Sequence, residues 1–359
     1  MELQIGNRPI GPGHPTYFIA DISANHDGDL ERAKALIHLA RESGAEAAKF
    51  QNFQAPKIVS DYGFKALGGQ LSHQASWKKS VFEVYQDASL PFDWTPILKE
   101  ECEAAGIHYF SSPYDFETID MLAPYVPAYK AGSGMITWLE ALVRMAETGK
   151  PLILASGASD IGDVARAVRA VQQINPQIVL MQCNTNYTAR LENFDHIHLN
   201  VLKTYALMFP DVVLGLSDHT TGHATVLGAV ALGARVIEKH FTDDTNRTGP
   251  DHPFSMTPAA WADMVARTRE LERALGSADK FVAGNERETY VLQRVCLRAA
   301  RDIQAGEVLT REMIDVLRPA TPGGIPPYEI EAVLGARTRV DIPFGRELRW
   351  TDLEAQSSS

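Results

Sequence analysis

The sequence predicts an α/β protein: an eight-stranded (β/α)₈ TIM barrel followed by a small β-rich domain. Eight short apolar runs lie between residues 17 and 241, separated by helical stretches with apolar residues at three- and four-residue spacing. The runs are almost continuously apolar, as expected of parallel strands that are covered on both faces. No glycine-rich dinucleotide fingerprint follows the first run, which favours the barrel over a doubly wound open sheet.

The predicted strands span residues 17–23, 47–53, 107–113, 128–134, 151–157, 178–184, 212–218 and 235–241. The connection after the second strand, residues 54–90, is too long for an ordinary βα loop. Its aromatic and basic residues suit either a partly ordered lid over the active-site face or a dimer contact. The last barrel helix is predicted over Pro258–Leu275.

The character of the sequence changes after this helix. Residues 1–276 are predicted to form the barrel domain, residues 277–290 a polar, glycine-containing linker, and residues 291–355 a small domain of short β runs. A β-rich unit of this size is marginally stable alone, so we expect it to dock on another surface. The tail, residues 356–359, is expected to be disordered.

Composition indicates a folded, soluble protein. Of the 359 residues, 45% are hydrophobic and 22% are charged, which is typical of globular proteins. The 34 Lys and Arg residues against 45 Asp and Glu give a net charge of −11, which argues against nucleic acid and anionic membranes as partners. Three scattered cysteines, no signal-peptide pattern and no membrane-length apolar run predict a cytoplasmic location.

The predicted strands end in polar residues, at the barrel face where active sites lie. Lys49 and Lys130 lie at the ends of the second and fourth strands, and Ser133, Ser156 and Ser217 at the ends of the fourth, fifth and seventh. Together they would form a cationic, hydroxyl-rich pocket. We therefore predict a site for a phosphate or a carboxylate.

Two histidines, His219 and His240, end consecutive strands 21 residues apart. Side by side over the barrel mouth, two neutral imidazoles can share a divalent metal and leave positions for water and substrate oxygens. Spacing alone slightly favours a simpler interpretation, a pair of hydrogen-bonded strand-end histidines. The polar loop that follows carries Arg247 and Asp251, which can bind substrate hydroxyls or anions.

These strand-end motifs resemble those of the sialic acid (nonulosonate) synthase family, NeuB-type enzymes with a C-terminal antifreeze-like (SAF) domain. The pair Leu-Ser-Asp-His-Thr (216–220) and Glu-Lys-His-Phe-Thr (238–242), in this order and spacing, is highly specific. The Leu-Arg-Pro motif at 317–319 resembles part of the SAF domain. The likeness spans nearly the whole chain, and its other carrying segments are 20–28, 49–51, 111–113, 130–134 and 247–251.

The resemblance implies condensation of phosphoenolpyruvate with an open-chain N-acetylmannosamine-like aldose, giving a nine-carbon sialic acid and phosphate. It implies a divalent metal, usually manganese with magnesium or cobalt as alternatives, held by His219 and His240. It also implies a domain-swapped homodimer in which Arg318 reaches the sugar's N-acetyl group from the partner subunit. The implied phosphoenolpyruvate contacts are Lys49, Lys130, Ser133, Ser156 and Ser217; Gln51, Tyr187 and Asp251 would face the sugar, and Ser112 and Arg247 complete the predicted substrate-binding set.

The resemblance is incomplete at three places. Asp21 stands where the family commonly has glutamate, and we predict that Asp21 handles the proton of the attacking water, with Lys49 and Gln51 as further catalytic residues. Met135 replaces a usual acidic residue, and residues 183–188 read Cys-Asn-Thr-Asn-Tyr-Thr rather than Cys-Thr-Thr-Glu-Tyr-Pro. Two alternatives therefore stay open, a catalytically impaired binding protein and a synthase of pseudaminate or legionaminate. A related enzyme for shorter sugars is disfavoured by the SAF-like domain.

Overall fold

The computed structural model describes residues 1–354, excepting the side chains of Ser72 and Ser76. These residues divide after Gly276 into two compact units. The predicted tail at 356–359 lies outside the described residues. No helix within residues 1–354 is long and apolar enough to cross a bilayer.

The first unit contains the predicted barrel, and all eight predicted strands are confirmed. Its strands are β1 (Leu3–Ile5), β2 (Arg8–Ile10), β3 (Tyr17–Asp21), β4 (Ala47–Asn52), β5 (His108–Pro113), β6 (Tyr129–Ala131), β7 (Leu152–Ala155), β8 (Ile178–Cys183), β9 (Val213–Asp218) and β10 (Val236–His240). The parallel order around the barrel is β5-β4-β3-β10-β9-β8-β7-β6, so hydrogen-bonded pairing is continuous except at the seam between β5 and β6. The first and last barrel strands, β3 and β10, are neighbours, and His240 lies opposite Asp21.

Helices connect the strands of this barrel, and most of them cover its outside. They are α1 (Leu30–Glu42), α2 (Ala55–Ile58), α3 (Asp61–Ala66), α4 (Val81–Ala88), α5 (Trp94–Ala105), α6 (Phe116–Leu122), α7 (Leu139–Ala146), α8 (Ile161–Gln172), α9 (Val201–Met208), α10 (Ala224–Ala231) and α11 (Pro258–Leu275). The last of these spans the predicted residues because Thr257 caps its first turn and Pro258 occupies the first helical position. The long connection 54–90 is built from α2, α3, a 3₁₀ turn at Ser72–Ser76 and α4.

Alternation along the strands divides the core into two layers. Tyr17 and Ile19 face the barrel interior, whereas Phe18 and Ala20 pack in the larger cluster against the helices. The β1–β2 hairpin, which was not predicted, inserts apolar side chains into the interior cluster at the amino ends of the strands; they are Leu3, Ile5 and Ile10. The interior is therefore apolar at one end, and its polar positions lie at the other.

The second unit is small and β-rich. It contains α12 (Arg287–Gln293), β11 (Cys296–Ala299), β12 (Ile314–Leu317) and α13 (Ile330–Val333). The strands β11 and β12 pair in antiparallel fashion around a separate apolar core that includes Leu297, Ile325 and Leu348. The segment 277–290, predicted as a linker, holds a 3₁₀ turn at Gly284–Glu286 and the start of α12. The three cysteines of the chain are buried free thiols.

Candidate active site

The alternation that fills the barrel interior also aims polar side chains at its mouth. On β3 the interior residues Tyr17 and Ile19 are followed two residues later by Asp21, and on β4 Ala47 is followed by Lys49 and Gln51. The same phase on the other strands brings further polar residues to this end; they are Ser112, Lys130, Ser217, Glu238 and His240. Parallel strands end at one face, so these groups converge.

They line a cavity of about 830 Å³ at the carboxyl ends of the strands. Every predicted site residue of the first unit lines it except Ser156 and Arg247. The segment 54–90 supplies much of one wall. The wall residues from this segment include Ile58, Phe64, Trp77, Val84 and Tyr85.

Two lysines and two carboxylates form the buried floor of the cavity. Nζ of Lys49 lies 2.6 Å from Oδ2 of Asp21, and Nζ of Lys130 lies 3.1 Å from Oε1 of Glu238. Glu238 is also 4.0 Å from Lys49 and accepts a 3.0 Å hydrogen bond from the Ser217 hydroxyl. The four charged side chains are at most 5% exposed. They form one connected network of opposite charges.

The network favours the charged forms of Glu238 and Lys49 despite their burial. Burial raises the pKa of the Glu238 carboxyl, but Lys130 and Lys49 outweigh it and hold that pKa at about 2. Burial likewise acts against the charged form of Lys49, yet Asp21 and Glu238 raise its pKa above the ordinary value. Oδ1 of Asp21, Oε2 of Glu238 and Oγ of Ser112 are buried without a hydrogen-bond partner among the described residues. Such orphaned atoms favour a site that is completed by a ligand.

The two strand-end histidines lie beside this network, with ring centroids 5.3 Å apart. Nδ1 of His219 is 2.8 Å from the carbonyl oxygen of Asn184, so this nitrogen carries the proton and Nε2 keeps its lone pair. Burial and the neighbouring His240 ring lower the pKa of His219 to about 4, which keeps the ring neutral. His240 approaches two carboxylates, with Nε2 3.5 Å from Asp21 and Nδ1 3.8 Å from Asp251.

The donor set fits a divalent metal that retains open positions. A neutral His219 with a fixed tautomer is a suitable ligand, and Nδ1 of His240 is buried without a hydrogen-bond partner in the described part of the chain. Within residues 1–354, no group of three or more His, Cys, Asp and Glu side chains is arranged to hold a metal. The pair therefore offers two protein ligands, and other ligands would have to come from water or substrate.

The remaining predicted residues differ in their placement. The Ser133 hydroxyl accepts a hydrogen bond from the Gly157 amide, and Tyr187 packs against the His219 ring at 4.4 Å between centroids. Gln51 lines the cavity and accepts a 3.3 Å hydrogen bond from the Tyr114 hydroxyl. Met135, which replaces an acidic residue of the family pattern, is 5% exposed and also lines the cavity.

Two predicted residues of the first unit, Ser156 and Arg247, do not line the cavity. The Ser156 hydroxyl donates to the carbonyl oxygen of Met181 at 2.9 Å and accepts from the Tyr205 hydroxyl at 2.9 Å. Arg247 is paired with Asp27 at 2.7 Å. Arg318 belongs to the second unit, where it follows β12 and is exposed. Roles for these three in substrate binding stay predictions.

Glu238 is the residue that the sequence prediction missed. It lies at the centre of the buried network, although only its neighbour His240 was assigned a role. The signal was present in the sequence, because residues two apart on a strand point the same way. If His240 faces the barrel mouth, Glu238 must face the interior directly beneath it.

Comparisons with known proteins identify the family. The NeuB family model matches residues 36–280, and the SAF domain model matches residues 294–354. The N,N'-diacetyllegionaminic acid synthase of Legionella pneumophila is 34% identical over 356 residues, covering 98% of each chain. The N-acetylneuraminate-9-phosphate synthase of Homo sapiens is 33% identical over 344 residues, covering 95% of this chain and 94% of the human protein.

A solved structure agrees with these relatives. The spore coat polysaccharide biosynthesis protein SpsE of Bacillus subtilis is 31% identical, with a TM-score of 0.65 over 99% of this chain and 100% of that one. Strand order, site geometry, family models and full-length relatives agree. The chain belongs to the NeuB family and carries a SAF domain.

Proposed function

We propose that this protein condenses phosphoenolpyruvate with an open-chain, N-acetylated amino aldose to give a nine-carbon nonulosonate and phosphate. The observation that carries the proposal is one cavity in which two buried lysines and several hydroxyl groups lie next to a histidine pair. Lysine and hydroxyl donors suit the phosphate and carboxylate of phosphoenolpyruvate. The curated relatives, which are synthases of sugars of this kind, support the same class of reaction.

The charge balance of the floor supports binding of the anion together with a cation. Lys49 and Lys130 are already paired with Asp21 and Glu238, so the network carries no surplus positive charge. Phosphoenolpyruvate would add at least two negative charges, which a buried site accepts only with compensation. A divalent ion held by His219 and His240, manganese or alternatively magnesium or cobalt, would supply it. When bound, such an ion would also polarise the aldehyde oxygen of the acceptor.

The protein residues position the reactants and move one proton. C3 of phosphoenolpyruvate forms a bond to the aldehyde carbon, and the lysines hold its phosphate and carboxylate in place. The electron pair of the C2–C3 double bond forms this new bond, and the former aldehyde oxygen takes up a proton to become a hydroxyl group. Water then adds at C2 and gives up one proton, after which the bond between C2 and the phosphate oxygen breaks. The phosphate leaves with that electron pair and takes the proton of the C2 hydroxyl, which leaves the 2-keto group. We assign to Asp21 the role of accepting the proton of that water, which is supported by its Oδ1 being buried without a hydrogen-bond partner in the described residues.

The outer part of the cavity fits an amino aldose with acetamido groups. Polar side chains there, Gln51, Tyr187 and Asp251, suit sugar hydroxyls and amides, and aromatic residues such as Trp77 and Trp138 suit methyl groups. N-acetylmannosamine, a 6-deoxy diacetamido sugar and a 2,4-diacetamido mannose type all match this description. The relatives name products of more than one such sugar, so the acceptor is left to experiment.

The test is phosphate release by chelator-treated protein with manganese restored, offered phosphoenolpyruvate and each of the three aldoses in turn. We expect release that requires both the metal and one particular aldose. His219→Ala and His240→Ala should abolish it, whereas His38→Ala, a half-exposed histidine on α1, should retain it. Near-normal release by His240→Ala would contradict the proposal. Binding of phosphoenolpyruvate without release would favour the impaired binding protein, with Asp21→Glu and Met135→Glu as the first variants to test for recovery.

We also propose the domain-swapped homodimer in which Arg318 acts in the partner's site. The resemblance to the family and the small size of the second unit support this proposal. Arg318→Ala and Lys49→Ala proteins should each be inactive, and a refolded mixture should recover up to about a quarter of the activity, because a quarter of the sites in a random mixture of dimers is intact. A monomer in sedimentation, or a mixture without recovery, would contradict the exchange.

A further inference from the structure

One carboxylate outside the cavity binds residues on both sides of Asp251. Oδ2 of Asp27 accepts hydrogen bonds from Nε and Nη2 of Arg247 at 2.9 and 2.7 Å. Oδ1 of Asp27 lies 2.8 Å from Nε2 of His252. Arg247 precedes Asp251 by four residues and His252 follows it directly. A single side chain therefore spans the segment 247–252, which we call the acceptor strap.

The His252 ring that contacts Asp27 is buried and is held in one orientation. His252 is fully buried, and its Nδ1 lies 2.7 Å from the Thr242 hydroxyl, so both ring nitrogens are engaged. Burial raises the pKa of the Asp27 carboxyl, but the hydrogen bonds from His252 and Arg247 outweigh it and lower that pKa below its usual value. Asp27 itself has a left-handed backbone, with φ of 54°. This strained backbone conformation occurs at the residue whose side chain contacts the strap.

The direct contacts of Asp251 are weaker than those of its neighbours. Its Oδ2 receives a long hydrogen bond from the Ala24 amide at 3.4 Å and lies 3.8 Å from Nδ1 of His240. Asp251 lines the cavity, whereas Asp27, Arg247 and His252 do not. The position of the Asp251 carboxylate therefore depends on the backbone that the Asp27 contacts hold in place.

We propose that Asp27 is a positioning residue that fixes the Asp251 carboxylate for the acceptor sugar, and that Arg247 serves this strap instead of contacting substrate. The proposal rests on the proposed function, in which Asp251 faces the aldose. Asp27 touches no reactant, so its effect must pass through Asp251. The lysines proposed to hold phosphoenolpyruvate, Lys49 on β4 and Lys130 on β6, pair with Asp21 and Glu238 and not with the strap, so binding of phosphoenolpyruvate should be unaffected.

The test is a steady-state comparison of Asp27→Asn with the wild type. We expect the KM for the aldose to rise about tenfold, as for loss of one well-placed polar contact, while the KM for phosphoenolpyruvate changes less than about twofold. Arg247→Gln, which removes one half-exposed arm of the strap, should raise the aldose KM by about threefold. The matched control is Asp120→Asn, which breaks a bidentate pair with Arg144 that makes no contact with Asp27 and should leave both KM values within about twofold.

A double-mutant cycle separates positioning from general damage. In an Asp251→Ala background, Asp27→Asn should raise the aldose KM no further, since the group that it positions is absent. An unchanged aldose KM in Asp27→Asn, or an equal effect with and without Asp251, would refute the proposal.

A second readout does not depend on turnover. Amide hydrogen exchange of residues 247–252 should be at least about tenfold faster in Asp27→Asn than in the wild type or in Asp120→Asn. Equal exchange in the three proteins would refute the strap, whatever the activity assay shows. Phosphate release by the wild type without any aldose would refute the proposed function instead, and the exchange measurement would still test the strap.

Discussion

Replacing Glu238 with glutamine removes one negative charge from the floor of the cavity and keeps the shape of the side chain. In the wild type this carboxylate lies between Lys130 and Lys49, and it accepts the Ser217 hydroxyl hydrogen bond. In E238Q the two ammonium groups stay buried, but only Asp21 remains to balance them. The variant therefore tests whether the floor depends on paired charges or only on packing.

The expected size of the effect follows from the separations. With an effective dielectric constant of about 20, attraction at 3.1 Å to Lys130 and 4.0 Å to Lys49 amounts to roughly 5 and 4 kcal/mol. The cost of burying the charges offsets much of this. The fall in the pKa of Glu238 from 4.5 to about 2 corresponds to roughly 3 kcal/mol, at about 1.4 kcal/mol per pH unit. We expect E238Q to lose about 3 kcal/mol of unfolding free energy, the lower end of what breaking a buried pair costs.

Urea denaturation of chelator-treated protein without substrate measures this loss. The control is Glu103→Gln, which breaks an exposed ion pair with Lys99 on α5 and should change the unfolding free energy by less than about 0.5 kcal/mol. Inorganic phosphate should stabilise E238Q more than the wild type, because an added anion can pair with Lys130. If E238Q is as stable as the wild type, or phosphate stabilises both equally, the charge argument is wrong.

The same carboxylate should make the substrate-free protein sensitive to acid. The pKa of Glu238 is lower in the folded protein than in the unfolded chain, so its contribution is complete above about pH 4.5 and is lost as the pH falls toward about 2; urea midpoints should fall more steeply for the wild type than for E238Q. Ser156→Ala should leave the KM for phosphoenolpyruvate within about twofold, whereas Ser217→Ala should raise it about tenfold, because only Ser217 lines the cavity; steady-state kinetics at saturating aldose distinguish them. Gly249→Ala would place a Cβ 2.6 Å from the His252 ring and should cost about 1–3 kcal/mol of stability, so a melting temperature equal to that of the wild type would contradict this packing.

Strand phase explains both what the sequence predicted well and what it did not. Lys49 and Lys130 were predicted from their positions at strand ends, and they line the cavity because they share the phase of the interior residues Ala47 and Ala128. Ser156 was predicted from its place at a strand end, but Ile153 on the same strand faces inward, so residue 156 is out of phase and turns into the wall. A position at a strand end predicts the correct face of the barrel. The two-residue alternation of side chains along a strand then decides which of its residues point into the cavity.

Other features could not be predicted from local patterns. The β1–β2 strands are three residues each, too short for a periodic signal. The contact between Asp27 and Arg247 joins residues 220 apart in sequence, and it forms only because β3 and β10 become neighbours when the barrel closes. The pairing of Arg247 with Asp27 was not predicted, since an isolated arginine beside a predicted mouth carries no sign of its distant partner.

The β1–β2 hairpin fills one end of the barrel interior. Leu3, Ile5 and Ile10 pack at the amino ends of the strands, so the cavity is reached from the carboxyl ends. Under the proposed function the anion occupies the buried floor and the aldose the outer part, so an aldose that arrives first would obstruct the floor. The kinetics should then be ordered, with phosphoenolpyruvate entering first, and inhibition by excess aldose should be competitive toward it. A fold feature with no side chain in the active site would in this way impose the sequence of binding events.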